Sequence, residues 1–306
     1  MTQQQPRPEA PRSQTRGGAA RAIAGLAAVL IGGLAGAQES VPAPSLPERK
    51  ALRVCQDPNN LPFANDKQQG FENRIAELFA RSLKLPVTYY NYPQRYVFIR
   101  NTLRYKLPGE DYPCDIIMGL PVGFGQASVT KPYFRSPYVL VFPTGKGLDE
   151  VRTSDDFLAL DPAKLATLKI GVFDQSPASR WMARHNLVDQ GVPYHTINME
   201  MDYYPGRIVD QDLAAGKIDV AIVWGPVGSY YGKTAAKQPM HVVPIRSEPG
   251  IPMDFSVGMG VRYGEPEWKK QVEEFIDTHQ AEIQSILKEY QVPISDAPPA
   301  TAAAAQ

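Results

Sequence analysis

FENRIAELFARSL, residues 71–83, puts Phe71, Ile75, Leu78, Phe79 and Leu83 along one side of a helix. That spacing predicts a helix with a single buried face. On either side lie apolar runs too short for helices, ALRVC at 51–55 and VTYYNY at 87–92. A second helical segment, 96–103, leads through the polar turn 108–113 to a third short run, CDIIMG at 114–119. Alternation of this kind marks βαβ units, in which helices cover a sheet of parallel strands. Residues 51–119 are therefore read as one β-α-β-α-β unit.

The pattern resumes further on. A strand is predicted at 169–173, a helix at 178–185 after a Ser-Pro, and a strand at 194–197. A helix at 205–215, ended by Gly216, and a strand at 218–223 complete the second unit. Extended passages at 133–143 (YFRSPYVLVFP) and 255–261 separate the units, and Trp268, Val272, Phe275, Ile276, Ile283 and Leu287 stripe the closing helices. No sequence repeat is visible, but the architecture is duplicated. The expected fold is α/β and two-lobed: lobe 1 at 51–143 with 250–292 returning to it, lobe 2 at 144–249, a two-strand hinge and a central cleft. Two independent domains without a shared cleft are the alternative, and the short crossings near 140–150 and 244–256 argue against it. Ligands of open α/β sheets bind beyond the carboxyl ends of the strands, which here face the cleft.

The N-terminus reads as an export leader at 1–37. Arg7, Arg12, Arg16 and Arg21 precede the apolar run AIAGLAAVLIGGLAG, and Ala35-Gly36-Ala37 offers a cleavage site. A membrane anchor would need about 20 apolar residues, so no span is expected in the mature chain. Cleavage removes four of the 32 basic and one of the 32 acidic residues, leaving 28 and 31. A net charge this small gives no reason to expect nucleic acid as a partner. Residues 38–50 read as a proline-rich linker, and 293–306, ending in a low-complexity alanine run, as a disordered tail. Export places the chain in the periplasm, where disulfides persist. The two cysteines, Cys55 and Cys114, are then either a single bridge or a pair of buried thiols; the oxidising compartment favours the bridge.

Candidate site residues come from the strand ends. The loop after strand one, Asp57-Pro58-Asn59-Asn60-Leu61-Pro62-Phe63, is stiff and polar, and offers Asp57, Asn59, Asn60 and Phe63 either to the cleft or to plain turn chemistry. Glu72 opens the following helix. After strand two come Gln94 and Arg95, the arginine being an anion clamp or a surface ion-pair partner. Leu120, Pro121 and Phe124 follow strand three as wall and hinge. In lobe 2, Gln175 and Ser176 sit between strand and helix, where Ser176 caps the helix or helps hold an anion. Trp224, Tyr230 and Tyr231 follow the last strand as a binding platform or as packing.

His185, His195, His241 and His279 are scattered without metal-ligand spacing, and no G-x-S-x-G or phosphate-cradling glycine loop is present. No metal, cofactor or catalytic residue is expected, and the chain reads as a non-enzyme. Asp57 and Glu72 are the only acid–base candidates for a catalytic alternative, such as a lyase.

The strings CQDPNNLPFAN, GFENRIAELFARSL, YPQRYVFIRNTL, CDIIMGLP, TKPYFRSPYV and GKIDVAIVWGPVGSYY together resemble the MxaJ/XoxJ-like (MoxJ) branch of the type II periplasmic binding proteins, over 52–292. The resemblance implies the two-lobed fold and a periplasmic accessory role beside a quinoprotein, PQQ-dependent methanol dehydrogenase, with the lanthanide-type enzyme favoured. The implied partner is that dehydrogenase, alone or with its cytochrome c, and the protein itself is expected to be a monomer. Amino-acid binders of this class carry an arginine for the ligand carboxylate after the third strand of lobe 1; here Gln126 and Ser128 stand near that position and Arg135 lies elsewhere. They carry an aspartate for the ammonium where this chain has Trp224-Gly225. A zwitterion would thus be left with desolvated, unpaired charges. A transport receptor for another small solute remains the alternative.

Overall fold

The computed structural model describes residues 49–94, 97–198, 200 and 202–296. The expected leader, linker residues 38–48, Arg95 and the tail from 297 lie outside the described residues. β1 (Leu52–Gln56) is buried on both faces, as a central parallel strand should be. Its loop holds a small hairpin of β2 (Asn59–Asn60) and β3 (Ala64–Asn65). α1 (Phe71–Leu83) follows Gly70, where only glycine fits because a Cβ would overlap the carbonyl of Phe63. Its predicted stripe faces inward: Phe71, Ile75 and Phe79 are fully buried, with Leu78 and Leu83 packed beside them. β4 (Val87–Asn91) pairs in parallel with β1 from Leu52↔Val87 to Gln56↔Asn91. The helix expected at 96–103 is reduced to α2 (Phe98–Asn101).

β5 (Ile117–Pro121) lies beside β1 through a single bridge, Val54↔Ile116, and two main-chain bonds, Cys55 N–H to Ile116 O (2.8 Å) and Asp115 N–H to Arg53 O (2.7 Å). β6 (Ser128–Pro143) then runs through both lobes. α3 (Ser154–Leu158), α4 (Pro162–Thr167), β7 (Ile170–Phe173), α5 (Pro177–Arg184) and β8 (Gly191–Tyr194) open lobe 2. The helix expected at 205–215 contains a π-helical segment, Ile208–Leu213, with Ala214 N–H bonded to Val209 O at 3.2 Å. β9 (Val220–Trp224), α6 (Gly225–Ser229), a second π-helical segment (Tyr230–Thr234) and β10 (Met240–Pro244) follow. β11 (Asp254–Val261) returns to lobe 1, and α7 (Pro266–Thr278) and α8 (Gln280–Glu289) cover its sheet, with Phe79 of α1 stacked 4.3 Å from Phe275 of α7.

The strand order is β4-β1-β5-β11-β6 in lobe 1 and β8-β7-β9-β6-β10 in lobe 2. This is the mixed α/β, two-lobed architecture expected. The boundary differs from the one read at 143. β6 pairs with β11 up to Pro137 and with β9 from Tyr138 onward, so 138–143 belong to lobe 2. An unbroken apolar strand carries no mark where it changes partners. Both crossings meet at Tyr138, whose N–H donates to Met253 O (2.6 Å) and whose carbonyl accepts from Ile245 N–H (2.9 Å).

The tail also differs from its reading as disordered from 293. Ser136 Oγ donates to Pro293 O (2.6 Å), Ser295 N–H donates to Arg135 O (2.9 Å), and Ser295 Oγ bonds Asp254 (3.1 Å). Residues 293–295 are thus tied to both hinge strands. At the other end, Arg49 belongs to lobe 1 rather than to a free linker. It bonds Asp115 at 3.0 Å and lies 4.0 Å over the Trp268 ring.

Candidate functional site

A cavity of about 580 Å³ lies between the lobes, walled by the strand ends of both. From lobe 1 come Gln56, Asp57, Asn60 and Phe63 after β1, Glu72 on α1, and Leu120 and Pro121 at the end of β5. From lobe 2 come Gln175, Ser176 and Pro177 after β7, Thr196 and Tyr203 after β8, and Val223 and Trp224 at the end of β9. The position of a ligand site beyond strand ends follows from sheet topology.

Polar groups at the lobe 1 rim are already engaged with one another. Asp57 accepts from Asn59 N–H (2.8 Å) and Gln94 N–H (2.5 Å), and Asn60 Nδ2 donates to Gln94 Oε1 (2.8 Å). Gln56 is buried and satisfied by Asn65 O, Asn91 and Asn73. Its amide fixes the loop more than it offers bonds to a ligand. Ser176 Oγ donates to Phe173 O (2.6 Å) and caps α5 by accepting from Ser179 N–H at 3.4 Å. The capping reading of Ser176 is therefore the one its hydroxyl performs, leaving nothing for an anion.

Glu72 differs from all of these. Its carboxyl lies against Gly119 of β5, where a Cβ would overlap Oε1, and it has no hydrogen-bond or ion-pair partner among the described residues. Burial pushes its pKa up to about 8, because a charged carboxylate loses solvation that nothing nearby replaces. Across the cavity, the Tyr203 hydroxyl is buried without a partner, and burial raises it to about 12. Buried polar groups are rarely left unmatched. Tyr138, Trp224 and Phe255 form an aromatic wall, with ring centroids 5.4 Å apart for Tyr138–Trp224 and 6.0 Å for each contact with Phe255.

Several residues expected at the cleft lie elsewhere. Phe124 packs on a small core around the cysteines, the turn after Pro121 (Phe124 N–H to Pro121 O, 3.1 Å) folding it back onto that core. Tyr231 is buried in the core of lobe 2, and Tyr230 packs on the same core and stacks on Tyr290 at 6.5 Å. The helical turns after Trp224 point both rings away from the cavity wall. Asn59 does not line the cavity but reaches across the cleft toward the carbonyls of Asp202 (3.3 Å) and Tyr203 (3.4 Å). Arg95 lies outside the described residues. Tyr138, Tyr203 and Phe255 line the cavity without having been singled out; nothing in an extended run or in Asp202-Tyr203-Tyr204 distinguishes a wall residue.

Cys55 and Cys114 form a disulfide with Cα atoms 5.3 Å apart, which links the end of β1 to the approach of β5. Cys55 also touches the cavity. Among the described residues no group of three His, Cys, Asp or Glu is placed to hold a metal ion, and no helix is long and apolar enough to cross a membrane. Glu72 has no second acid, base or nucleophile bonded to it, so the arrangement is suited to binding.

No family model matches the chain. The chain is 36% identical to the periplasmic binding protein XoxJ of Methylobacterium extorquens AM1, whose crystal structure it covers completely over 81% of its own length, with a TM-score of 0.64. MxaJ of Methlophaga aminisulfidivorans MPT is similar in fold, with 20% identity, a TM-score of 0.66, and coverage of 80% of this chain and 100% of that one. The protein MoxJ of Methylorubrum extorquens strain AM1 is 28% identical over 264 residues, 81% of this chain and 83% of that protein. The architecture of both lobes and the likeness to XoxJ along its whole length lead to one conclusion: the chain belongs to the XoxJ/MxaJ (MoxJ) family of type II periplasmic binding proteins.

Proposed function

We propose that this protein is a periplasmic accessory factor, a binding protein and not an enzyme, that engages a PQQ-dependent methanol dehydrogenase of the lanthanide type through its cleft and assists the maturation or activation of that enzyme. The observation that carries the reading is the 36% identity with XoxJ over the whole of that chain. The cleft mouth supports a macromolecular partner. Val122 (47% exposed) and Ile197 (52% exposed) directly follow the cavity-lining Pro121 and Thr196 in the two lobes, and exposed apolar side chains beside a concave site favour docking. The aromatic wall at Trp224 offers an anchor of the kind that dominates protein interfaces. A second reading, receptor for a small solute, is favoured by the cavity volume of about 580 Å³, which falls within the ~300–1,000 Å³ of small-molecule sites.

Co-purification with the dehydrogenase from periplasmic extract tests the first reading. The wild type is expected to co-purify, and Trp224→Ala, with its melting profile unchanged, to reduce recovery about tenfold, the equivalent of ~1.4 kcal/mol. Deleting the protein without loss of dehydrogenase activity or maturation defeats the assignment.

A further inference from the structure

From the unpartnered carboxyl of Glu72, the aromatic wall and the lack of any described basic residue on the lining, we infer that the cavity takes an organic ammonium group on an apolar stem, with Glu72 as its counter-ion. The inference deepens the cleft-binding reading and rests on it. Asp57 is the other acid on the lining, and both its oxygens already accept backbone N–H groups. That leaves Glu72 as the acid on the lining whose carboxyl has unused acceptor capacity.

An anion would meet two carboxyl groups here and no described Lys, Arg or His. A neutral apolar ligand would cover the Glu72 carboxyl without matching it and leave the Tyr203 hydroxyl unmatched, at a cost each time. An ammonium group satisfies the carboxylate, and its stem or methyl groups lie against Tyr138, Trp224 and Phe255, since aromatic faces attract alkylammonium ions. The titratable groups around Glu72 are Tyr133 on β6, raised by burial and then by the Glu72 charge, Asp57 on the rim, and Tyr138 and Tyr203 on the wall. All are acidic or neutral, so none competes with the ligand for the carboxylate.

With its pKa pushed up to about 8 by burial, Glu72 is mostly the neutral acid at neutral pH in the absence of a cation. Binding a cation therefore releases a proton from Glu72 to solvent. Two sources share this chemistry, a free organic amine and a lysine side chain of a protein partner. Calorimetry with n-butylammonium chloride, against 1-butanol, in phosphate and in Tris at pH 7 is the test. The wild type should bind n-butylammonium with release of close to one proton. Its affinity should rise about tenfold from pH 6 to pH 7, because only the ionised fraction is competent. Glu72→Gln should lose the proton release and bind n-butylammonium at least tenfold more weakly, with 1-butanol unaffected.

Absence of n-butylammonium binding, equal affinity at pH 6 and pH 8, or a Glu72→Gln variant that binds it as the wild type does overturns the inference. The pH comparison needs no variant. Competition by the blocked peptide Ala-Lys-Ala, and not by its norleucine counterpart, assigns the lysine source; competition by neither assigns the free amine. If n-butylammonium fails to bind while the dehydrogenase still co-purifies, this inference falls alone; loss of co-purification with n-butylammonium binding intact removes the partner reading instead.

Discussion

Strand for strand the two lobes repeat one plan, yet the equivalent strand pairs β1–β5 and β7–β9 are held together by different means. In lobe 2, β7 and β9 share a parallel ladder, Ile170↔Val220, Gly171↔Ala221 and Val172↔Ile222, sandwiched between apolar clusters on both faces. In lobe 1, β1 and β5 meet at one bridge. At that seam stand the Cys55–Cys114 disulfide and a bidentate pair from Arg53 to Asp115 at 2.7 and 2.9 Å. Side-chain links at one seam thus stand where the other has main-chain ladder. The comparison also explains why the cysteines lie where they do: they close the seam with the fewest backbone bonds.

Asp115 carries the most weight in this comparison. It is buried and receives Arg49, Arg53 and Arg262, and Arg262 in turn donates to the carbonyls of Leu103 (3.2 Å) and Cys114 (2.6 Å). Burial acts to raise its pKa, but the hydrogen bonds from Arg53 and Arg262 prevail and hold it below the usual carboxylate range. Asp115→Asn removes the charge that three arginines share and leaves buried Arg262 with Glu265 (2.7 Å) as its remaining carboxylate; it is expected to destabilise the protein by about 3 kcal/mol, the lower end of what breaking a buried pair costs, read by urea unfolding. A loss under 1 kcal/mol would mean that the β1–β5 seam does not depend on its ion pairs.

Removing the disulfide should rank next. It closes a loop across a sequence separation of 59 residues, for which loop-closure entropy gives about 4 kcal/mol and measured losses typically reach 2–4 kcal/mol. Cys55→Ala with Cys114→Ala is expected to fall within 2–4 kcal/mol. Amide exchange should speed up along β1 and β5 and stay unchanged along β7 and β9. Equal acceleration in both lobes would break the comparison, since it would show one cooperative unit and no local seam.

Much of this was legible in the sequence. The helical stripe at 71–83 and the short apolar runs around it define the β-α-β alternation, and the cysteines flank adjacent strands. Strand ends pointed to Asp57, Asn60, Phe63, Gln94, Leu120, Pro121, Gln175, Ser176 and Trp224, and the acid–base search to Glu72; all of them line the cavity. What was hidden depends on direction and partner choice. Tyr138 lies within an apolar run whose change of sheet leaves no local signature. Tyr231 and Phe124 are aromatic residues after strand ends like Trp224, but the turn each follows aims it into a core. The isolation of Glu72 is likewise a fact of packing, since a glutamate in a first helical turn is usually solvated and favourable to the helix.

The last expected effect, the smallest over a single pH unit, tests a contrast inside lobe 1, between an acid with partners and one without. Asp115 is held ionised by arginines, whereas Glu72, unpaired, is raised from an ordinary 4.5 to about 8 by burial. A folded-state pKa raised above the unfolded one means that the native protein binds a proton that the unfolded chain has released between those values. Stability from Glu72 is then fully present below about pH 4.5 and is lost as pH rises to about 8. Across the middle of that window the slope is about 1.4 kcal/mol per pH unit. Glu72→Gln keeps the shape of the neutral acid and cannot ionise, so it should remove this contribution. The difference in unfolding free energy between Glu72→Gln and wild type should grow by about 1.4 kcal/mol from pH 6 to pH 7, in favour of the variant, and level off above pH 8. Saturating n-butylammonium should reverse the order by stabilising the ionised wild type alone. A constant difference between pH 5 and pH 8 would mean that Glu72 is already ionised at neutral pH, and that the two acids of lobe 1 are not opposites.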